Sequence, residues 1–240
     1  MSRIYDAMKR GASLEASQRS LVTAGRKTAP LVDRVAESYQ RVLHAIQSSR
    51  GADSGATILF VSANHGEGTS TVARGVAALL AREGLARVVL VDANLRTPSQ
   101  HEAFGLERID GLTEVVTRGL AIDRAVRNGA GNQPPVMTAG RPTSHPAGIL
   151  AAPELRATLE RLRSKYDWVV IDGPPATVYS DAGMIAPLTD GVVLVIEAER
   201  TRWEVADRAR GVIEDSGGKV VGAVLSRRRF HIPNAVYQIL

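Results

Sequence analysis

The strongest constraint on the fold is an alternation of short apolar runs with amphipathic stretches between residues 58 and 226. The apolar runs are rich in Val, Leu and Ile and have the length of strands that are buried on both faces. This alternation predicts βαβ units, and hence an α/β fold with a mostly parallel sheet and helices on both faces. The predicted strands cover 58–62, 87–92, 135–140, 167–175 (ending in a proline-stopped loop), 191–198 and 219–226. The predicted helices between them cover 70–82, 153–166 and 201–217.

Length and composition agree with a single α/β domain that carries short appendages. The chain has 240 residues, of which 44% are apolar and only 4% aromatic, so Val, Leu, Ile and Ala must build the core. Cysteine is absent, which excludes disulfides and thiolate metal sites. No apolar run approaches the ~20 residues of a spanning helix, and MSRIYDAMKRGASLE lacks the apolar stretch of a signal peptide. These features predict a cytoplasmic protein.

The N-terminal region is expected to be separate from the sheet. Residues 1–30 are polar and rich in Ser, Ala and Arg, which predicts a mobile arm. Residues 31–50 begin with LVDRVAESYQRVLHAIQ, whose apolar residues recur at helical spacing and predict an amphipathic helix. The domain itself is then expected to span 51–240.

The charge balance favours acidic partners. The net charge is +5, which suits phosphates, anionic lipid headgroups or acidic protein segments. Most arginines are spread along amphipathic helices, where a solvated face explains them. The run 227–229 is too short and too poor in aromatics to indicate a nucleic-acid site by itself.

A glycine-rich loop, SANHGEGTST (62–71), follows the first predicted strand. Gly66 and Gly68 would let backbone amides curl around phosphate oxygens, and the next helix offers its positive N-terminus. In the standard phosphate-binding loop a lysine precedes a hydroxyl residue that binds Mg²⁺. Here Ser70 is the hydroxyl residue and Thr69 stands in the lysine position. The alternative is a tight turn without a ligand.

Two further strand ends carry a carboxylate. Asp92 follows the second predicted strand, and Asp172 ends the fourth in the manner of a Walker B acid that reaches Mg²⁺ through water. As alternatives, Asp92 could cap a turn and Pro174 could simply stop a strand. Because functional residues of such sheets gather at the carboxyl ends of the strands, all three ends are expected to meet.

These blocks, in this order, resemble the bacterial tyrosine autokinases (BY-kinases) of polysaccharide synthesis and export. That family lies within the deviant P-loop ATPases, which also include chromosome-partitioning proteins. GEGTST resembles the family's GEGKST, and VVLVDANLRTPSQHEAFG resembles its strand with DADLRxPxxHxxF. VMTAGRPTSHPAGIL and YDWVVIDGPPATVYSDA resemble two later family segments, so the resemblance covers nearly the whole chain.

The resemblance implies ATP and Mg²⁺ as cofactors and a role for each matched residue. Asp92 would be a catalytic carboxylate, Asp172 the Walker B acid, and Arg96 part of a phosphate-sensing loop. Ser70 and Asp172 would hold the metal. The implied nucleotide-binding residues are Gly66, Glu67, Gly68, Thr69, Ser70, Thr71 and Arg96.

The departures from the family pattern fall on the chemistry. Thr69 replaces the lysine that neutralises the transferred phosphate, Asn94 replaces the second aspartate of DxD, and Ser226 replaces an asparagine near the adenine. Loss of the lysine charge should cost several kcal/mol in a phosphoryl-transfer transition state. Nucleotide binding is therefore expected to be weak or lost.

Other departures concern assembly and autophosphorylation. Gln40 and Leu43 stand where many relatives carry the arginines of a ring-forming helix. Ring assembly is therefore not predicted, and a homo-oligomer is kept as an alternative to a monomer. The C-terminal segment FHIPNAVYQIL has one tyrosine, Tyr237, where the family has a cluster.

Together the residues and the resemblance predict a regulatory pseudo-kinase of an exopolysaccharide system. It would dock on the cytoplasmic part of a membrane co-polymerase or chain-length regulator, peripheral to the inner membrane. One alternative is an active autokinase that takes a cation from Arg74, Arg96 or a neighbouring subunit. Another is a positioning ATPase of the partitioning type that binds DNA, although Asn64 stands where such proteins carry a signature lysine.

Overall fold

The computed structural model describes residues 55–82, 86–129 and 133–227. The predicted arm over 1–30, the predicted helix over 31–50 and the segment that contains Tyr237 lie outside these residues. The predictions for these segments therefore stay predictions.

Seven strands form one sheet in the order β3-β4-β2-β5-β1-β6-β7. Neighbouring strands are parallel except for β3 and β4 at one edge, which run antiparallel. The predicted α/β fold with a mostly parallel sheet is therefore confirmed. The strands are β1 Ala56–Ser62, β2 Val88–Asp92, β3 Val126–Arg127, β4 Val136–Met137, β5 Trp168–Asp172, β6 Gly191–Glu197 and β7 Val220–Ser226.

Helices connect the strands and cover both faces of the sheet, as βαβ crossovers require. They are α1 Thr69–Arg82, α2 Gln100–Ala103, α3 Leu112–Arg118, α4 Ile122–Ala125, α5 Pro146–Leu150, α6 Pro153–Lys165, α7 Asp181–Ile185 and α8 Trp203–Asp215, with a 3₁₀ turn at Ala186–Leu188. Within the described ranges, no helix is both long enough and apolar enough to cross a membrane.

Two apolar cores lie on the two faces of the sheet, because successive side chains of a strand point in opposite directions. Phe60 of β1 belongs to the core that Val76 of α1 shares. Its neighbour Leu59 belongs to the opposite core, together with Leu159 of α6 and Ile213 of α8. Strands β1, β2 and β5 are buried along their whole length, which explains their continuous apolar runs.

The structure shortens one predicted strand and adds another. The strand expected at 135–140 pairs only over Val136–Met137. Beyond it, the carbonyls of Thr138 and Ala139 accept hydrogen bonds from Leu112 and Thr113 at 2.8 and 3.0 Å, so they serve the start of α3 rather than the sheet. Strand β3 has only two residues, too few for a periodic pattern.

Strands β2, β5 and β1 are consecutive neighbours in the sheet. Asp92 and Asp172 are register partners on β2 and β5, and Asp172 is also paired with Phe60 on β1. The three strand ends singled out in the sequence therefore lie side by side, at the carboxyl ends of the central strands.

Candidate functional site

The glycine loop joins β1 to α1 in a conformation that needs its glycines. Gly66 and Gly68 have φ angles of 80° and 88°, in the left-handed region that side chains rarely adopt. Thr69 begins α1, whose first-turn amides have no acceptor within the helix and whose first turn has no acidic residue. The loop can therefore present backbone donors to an anion.

Glu67 braces the loop from inside. Its buried carboxylate accepts hydrogen bonds from the amides of Ala63 and Asn64 at 2.8 and 3.1 Å, and from the Asn64 side chain at 3.2 Å. The Thr201 hydroxyl donates to the same carboxylate. The Glu67 side chain thus stabilises the conformation of the loop. If Glu67 contacts a nucleotide, as predicted, it would do so through its backbone.

The end of β7 is attached to the loop. Ser226 Oγ donates to the carbonyl of Glu67 at 2.5 Å, and the Ser226 carbonyl accepts from the amide of Ala198 at 3.0 Å. Ser226, which departs from the family's asparagine, therefore serves as a support for the loop.

Asp92 and Asp172 form a fully buried pair of carboxyl groups at the ends of β2 and β5. Asp92 accepts hydrogen bonds from the amides of Asn94, Ser99 and Gln100 at 3.2, 3.2 and 3.0 Å. Asp172 Oδ2 accepts from the Gln100 side chain at 2.7 Å, while its buried Oδ1 has no partner within the described part of the chain.

Burial and mutual repulsion shift the titration of this pair. Burial, followed by the charge of Asp172, raises the pKa of Asp92 to about 8. Burial also raises the pKa of Asp172 to about 6, against the lowering effect of hydrogen bonds from Gln100 and Ser70. The pair therefore keeps a proton at pH values where exposed carboxyl groups are fully ionised.

Gln100 connects the loop helix to the carboxylates, a role that sequence reasoning missed. Its fully buried Nε2 donates to the Ser70 carbonyl at 3.0 Å and to Asp172 at 2.7 Å. Its Oε1 accepts from Arg74 Nη1 at 3.1 Å. Gln100 lies in the short helix α2, which has no periodic pattern of apolar residues. Its place within the family-like segment VVLVDANLRTPSQHEAFG is the one feature of the sequence that could have indicated its role.

Arg96 has partners that its predicted role in a phosphate-sensing loop did not include. Its Nε and Nη2 donate to the buried carboxylate of Asp181 at 2.7 and 3.0 Å. Its guanidinium also lies 4.1 Å from the centre of the Tyr179 ring, and that ring contacts His65 edge-on at 5.6 Å. The positive charge of Arg96 is thus already paired.

The other departures from the family pattern are neutral residues that are largely buried. Thr69 is 8% exposed at the lysine position. The Asn94 side chain donates to Thr97 Oγ1 at 3.1 Å and accepts from the Thr97 amide at 3.2 Å, which stabilises the turn after β2.

A cleft of about 190 Å³ opens above the loop. Its lining contains the predicted loop residues, whereas Asp92, Asp172 and Arg96 do not line it. The lining residues are Ser62, His65, Gly66, Glu67, Gly68, Thr69, Ser70, Thr71, Asn94, Thr97, Gly173, Pro175 and Arg227.

The chain is similar to proteins of one family over most of its length. A family model for ParA proteins, described as NUBPL iron-transfer P-loop NTPase, matches residues 54–238. Tyrosine-protein kinase YwqD of Bacillus subtilis is 32% identical over 173 residues, which is 72% of this chain and 73% of that protein. The putative tyrosine-protein kinase CapB of Staphylococcus aureus is 27% identical over 193 residues, covering 80% and 84%.

Solved structures agree with this assignment. The kinase domain of VpsO superposes with a TM-score of 0.74 at 27% identity, covering 82% of this chain and 95% of that one. The septum site-determining protein MinD of Pyrococcus horikoshii shares the fold at a lower TM-score of 0.61 and 20% identity, covering 77% and 76%. Because the chain has no cysteine, it offers no thiolate for an iron–sulfur cluster. The chain belongs to the bacterial tyrosine-kinase family, within the ParA-type P-loop NTPases.

Proposed function

We propose that this protein is a nucleotide-binding regulatory pseudo-kinase of a bacterial exopolysaccharide system. The observation that carries the proposal is the neutral Thr69 at the lysine position of the loop. Both of the arginines that could have replaced that lysine already have a buried partner. Arg74 donates to the buried Gln100, and Arg96 forms a bidentate pair with the buried Asp181.

Loss of the lysine should affect transfer more than binding. Phosphoryl transfer depends on positioning and on neutralising charge that develops in the transition state. A threonine hydroxyl carries no charge, and removal of one such electrostatic group typically lowers the rate by about a hundredfold to a thousandfold. Binding to the ground state also uses backbone amides, which this loop keeps.

The residues around the loop fit ATP with Mg²⁺. The left-handed glycines and the N-terminus of α1 suit a polyphosphate. Ser70 lies near enough to Asp172 to lower the pKa of that carboxyl, and Asp172 Oδ1 is buried and unpartnered among the described residues, so these two residues suit a divalent cation. When bound, the cation would neutralise phosphate charge. Ser70 and Asp172 would hold it, and Asp92 would stay beside them as the second carboxylate.

The proposed partner is the cytoplasmic part of a membrane co-polymerase or chain-length regulator. Its support is the family membership and the resemblance to autokinases of polysaccharide export, together with a net charge of +5 that favours acidic partners. The protein would then work peripherally at the inner membrane by docking rather than by phosphorylation.

The test combines calorimetry of MgATP binding with autophosphorylation by labelled ATP. We expect the wild type to bind MgATP weakly without label transfer, and Thr69→Lys to bind at least about tenfold more tightly. Thr117→Lys, an exposed position on α3 away from the cleft, is the net-charge control and should behave like the wild type. If the wild type labels itself and Asp92→Asn stops the labelling, the protein is an active autokinase. Salt-dependent DNA binding would instead support the positioning ATPase.

A further inference from the structure

We propose that Arg227 supplies the positive charge that nucleotide phosphates meet in the cleft, from the end of β7 instead of from the loop. The inference rests on the proposed nucleotide binding and names the residue that sustains it without the loop lysine. It concerns the polyphosphate part of the ligand.

The position of Arg227 is determined by the attachment of β7 to the loop. Its neighbour Ser226 donates to the Glu67 carbonyl at 2.5 Å, and the Ser226 Cβ lies 3.7 Å from where a side chain on Gly68 would begin. Arg227 itself has a φ angle of 52°, a left-handed conformation that is uncommon outside glycine and is often found at functional sites. The backbone of Arg227 therefore stands beside the phosphate-binding turn.

The side chain of Arg227 is free to change partners. Its side chain is 56% exposed, and its ion pair with Glu197 is a long contact of 3.4 Å between Nη1 and Oε1. Because the arginine end of this pair is exposed to solvent and the contact is long, the pair contributes little stability. Arg74 and Arg96 differ, because each donates to a fully buried partner, Gln100 and Asp181 respectively.

Charge distribution in the cleft points to the same residue. Among the cleft-lining residues that the structure describes, Arg227 alone carries a permanent positive charge. A guanidinium can donate two parallel hydrogen bonds to phosphate oxygens, which suits an anion held by backbone amides on its other side. A cation that arrives from a strand end, outside the loop, can support binding without occupying the lysine position that transfer requires. This arrangement agrees with a protein that still binds nucleotide but no longer transfers the phosphoryl group.

Arg200 provides a matched control. It pairs with the same carboxylate, with Nη1 lying 3.3 Å from Glu197 Oε2, and it is 74% exposed. It does not line the cleft. Arg227→Gln and Arg200→Gln thus remove the same charge and a similar ion pair, and only the first removes a cleft residue.

The experiment measures binding of MgATP, inorganic tripolyphosphate and adenosine by calorimetry to the wild-type chain and to both variants. We expect Arg227→Gln to weaken MgATP and tripolyphosphate binding by about tenfold or more and to leave adenosine unchanged. Arg200→Gln should match the wild type for all three probes, and Arg227→Lys should recover part of the loss. Thermal unfolding of the variants reports whether each one folds like the wild type.

Two outcomes overturn the inference and spare the proposed function: Arg227→Gln binds tripolyphosphate as tightly as the wild type, or Arg200→Gln loses as much affinity. Loss of adenosine rather than tripolyphosphate binding would assign Arg227 to the base and would also overturn it. If the wild type binds no probe, both the inference and the proposed nucleotide binding are wrong.

Discussion

Gln100 shows how one uncharged residue can organise this site. Its side chain contacts the Asp172 carboxylate, the Ser70 carbonyl and the Arg74 guanidinium. Its backbone N–H donates to the Asp92 carboxylate. The two carboxylates and the loop helix are thus linked through a side chain with no charge of its own. Inside the protein such a connected polar network fixes the relative positions of its members.

Replacing Gln100 with leucine should therefore destabilise the protein. The change keeps the approximate volume, but it leaves the Asp172 and Arg74 side chains without their shared partner in a buried place. We expect a loss of about 2–4 kcal/mol in the free energy of unfolding, measured by urea denaturation. Gln133→Leu, at an exposed position, is the control and should change the value by less than about 0.5 kcal/mol. A Gln100→Leu variant as stable as the wild type would contradict the network's importance.

At the scale of elements, the start of α3 is packed directly against the chain that leaves β4. Gly111 precedes α3, and its amide donates to Glu114 Oε2 at 2.9 Å. A Cβ on Gly111 would lie 2.2 Å from the Thr138 carbonyl oxygen and 2.4 Å from the Gly140 amide nitrogen. Both clashing atoms belong to the backbone and cannot rotate away. A side chain at position 111 would therefore push α3 away from the segment that follows β4.

Gly111→Ala should consequently cost more than Gly119→Ala at the other end of the same helix. Gly119 has a φ angle of 66° but no atom within 4 Å of a built Cβ, so alanine there meets only backbone strain, about 1 kcal/mol. For Gly111→Ala we expect a loss of about 3 kcal/mol or more, because a well-packed backbone must move. Thermal unfolding of the two variants measures the difference. Equal losses would show that α3 can shift without penalty.

At the scale of the whole molecule, the buried carboxyl pair gives stability a pH dependence of known sign. Both Asp92 and Asp172 have pKa values above their ordinary 3.8, so the folded state binds more protons than the unfolded state over this range. The pair's contribution to the free energy of unfolding therefore falls as the pH rises from about 4 to about 8.

Asp172→Asn should remove much of this dependence. The variant loses the like-charge repulsion, while its side-chain oxygen can still accept from Gln100. We expect the unliganded variant to be more stable than the wild type by about 1–3 kcal/mol at pH 8, with a smaller gain at pH 5. Asp123→Asn, at a side chain that is 80% exposed, should show almost no change at either pH. Thermal unfolding at both pH values is the measurement, and a variant that is less stable at pH 8 would contradict the pKa directions.

Much of the fold was predictable because its signals are local. The runs that form β1 (ATILFVS) and β5 (WVVID) are mostly apolar and rich in Val, Ile and Leu, as burial on both faces of a parallel sheet favours. The left-handed turns at Gly66 and Gly68 and the carboxylates at strand ends could likewise be located, because residue type and position along the chain suffice to identify them.

By itself, the sequence determined the long buried strands and the long helices between them, where the glycine-rich turn lies, and that Thr69 removes the charge of the usual lysine. Only the tertiary structure decided how the remaining charges are used. Arg96 meets Asp181 across 85 positions of the chain, and Ser226 reaches Glu67 across 159. Such pairs depend on the order of strands in the sheet and on which side chains are buried together, and neither quantity is encoded in any local pattern. The same long-range geometry places Arg227 in the lining of the cleft, whereas Arg74 is paired with Gln100 and Arg96 with Asp181.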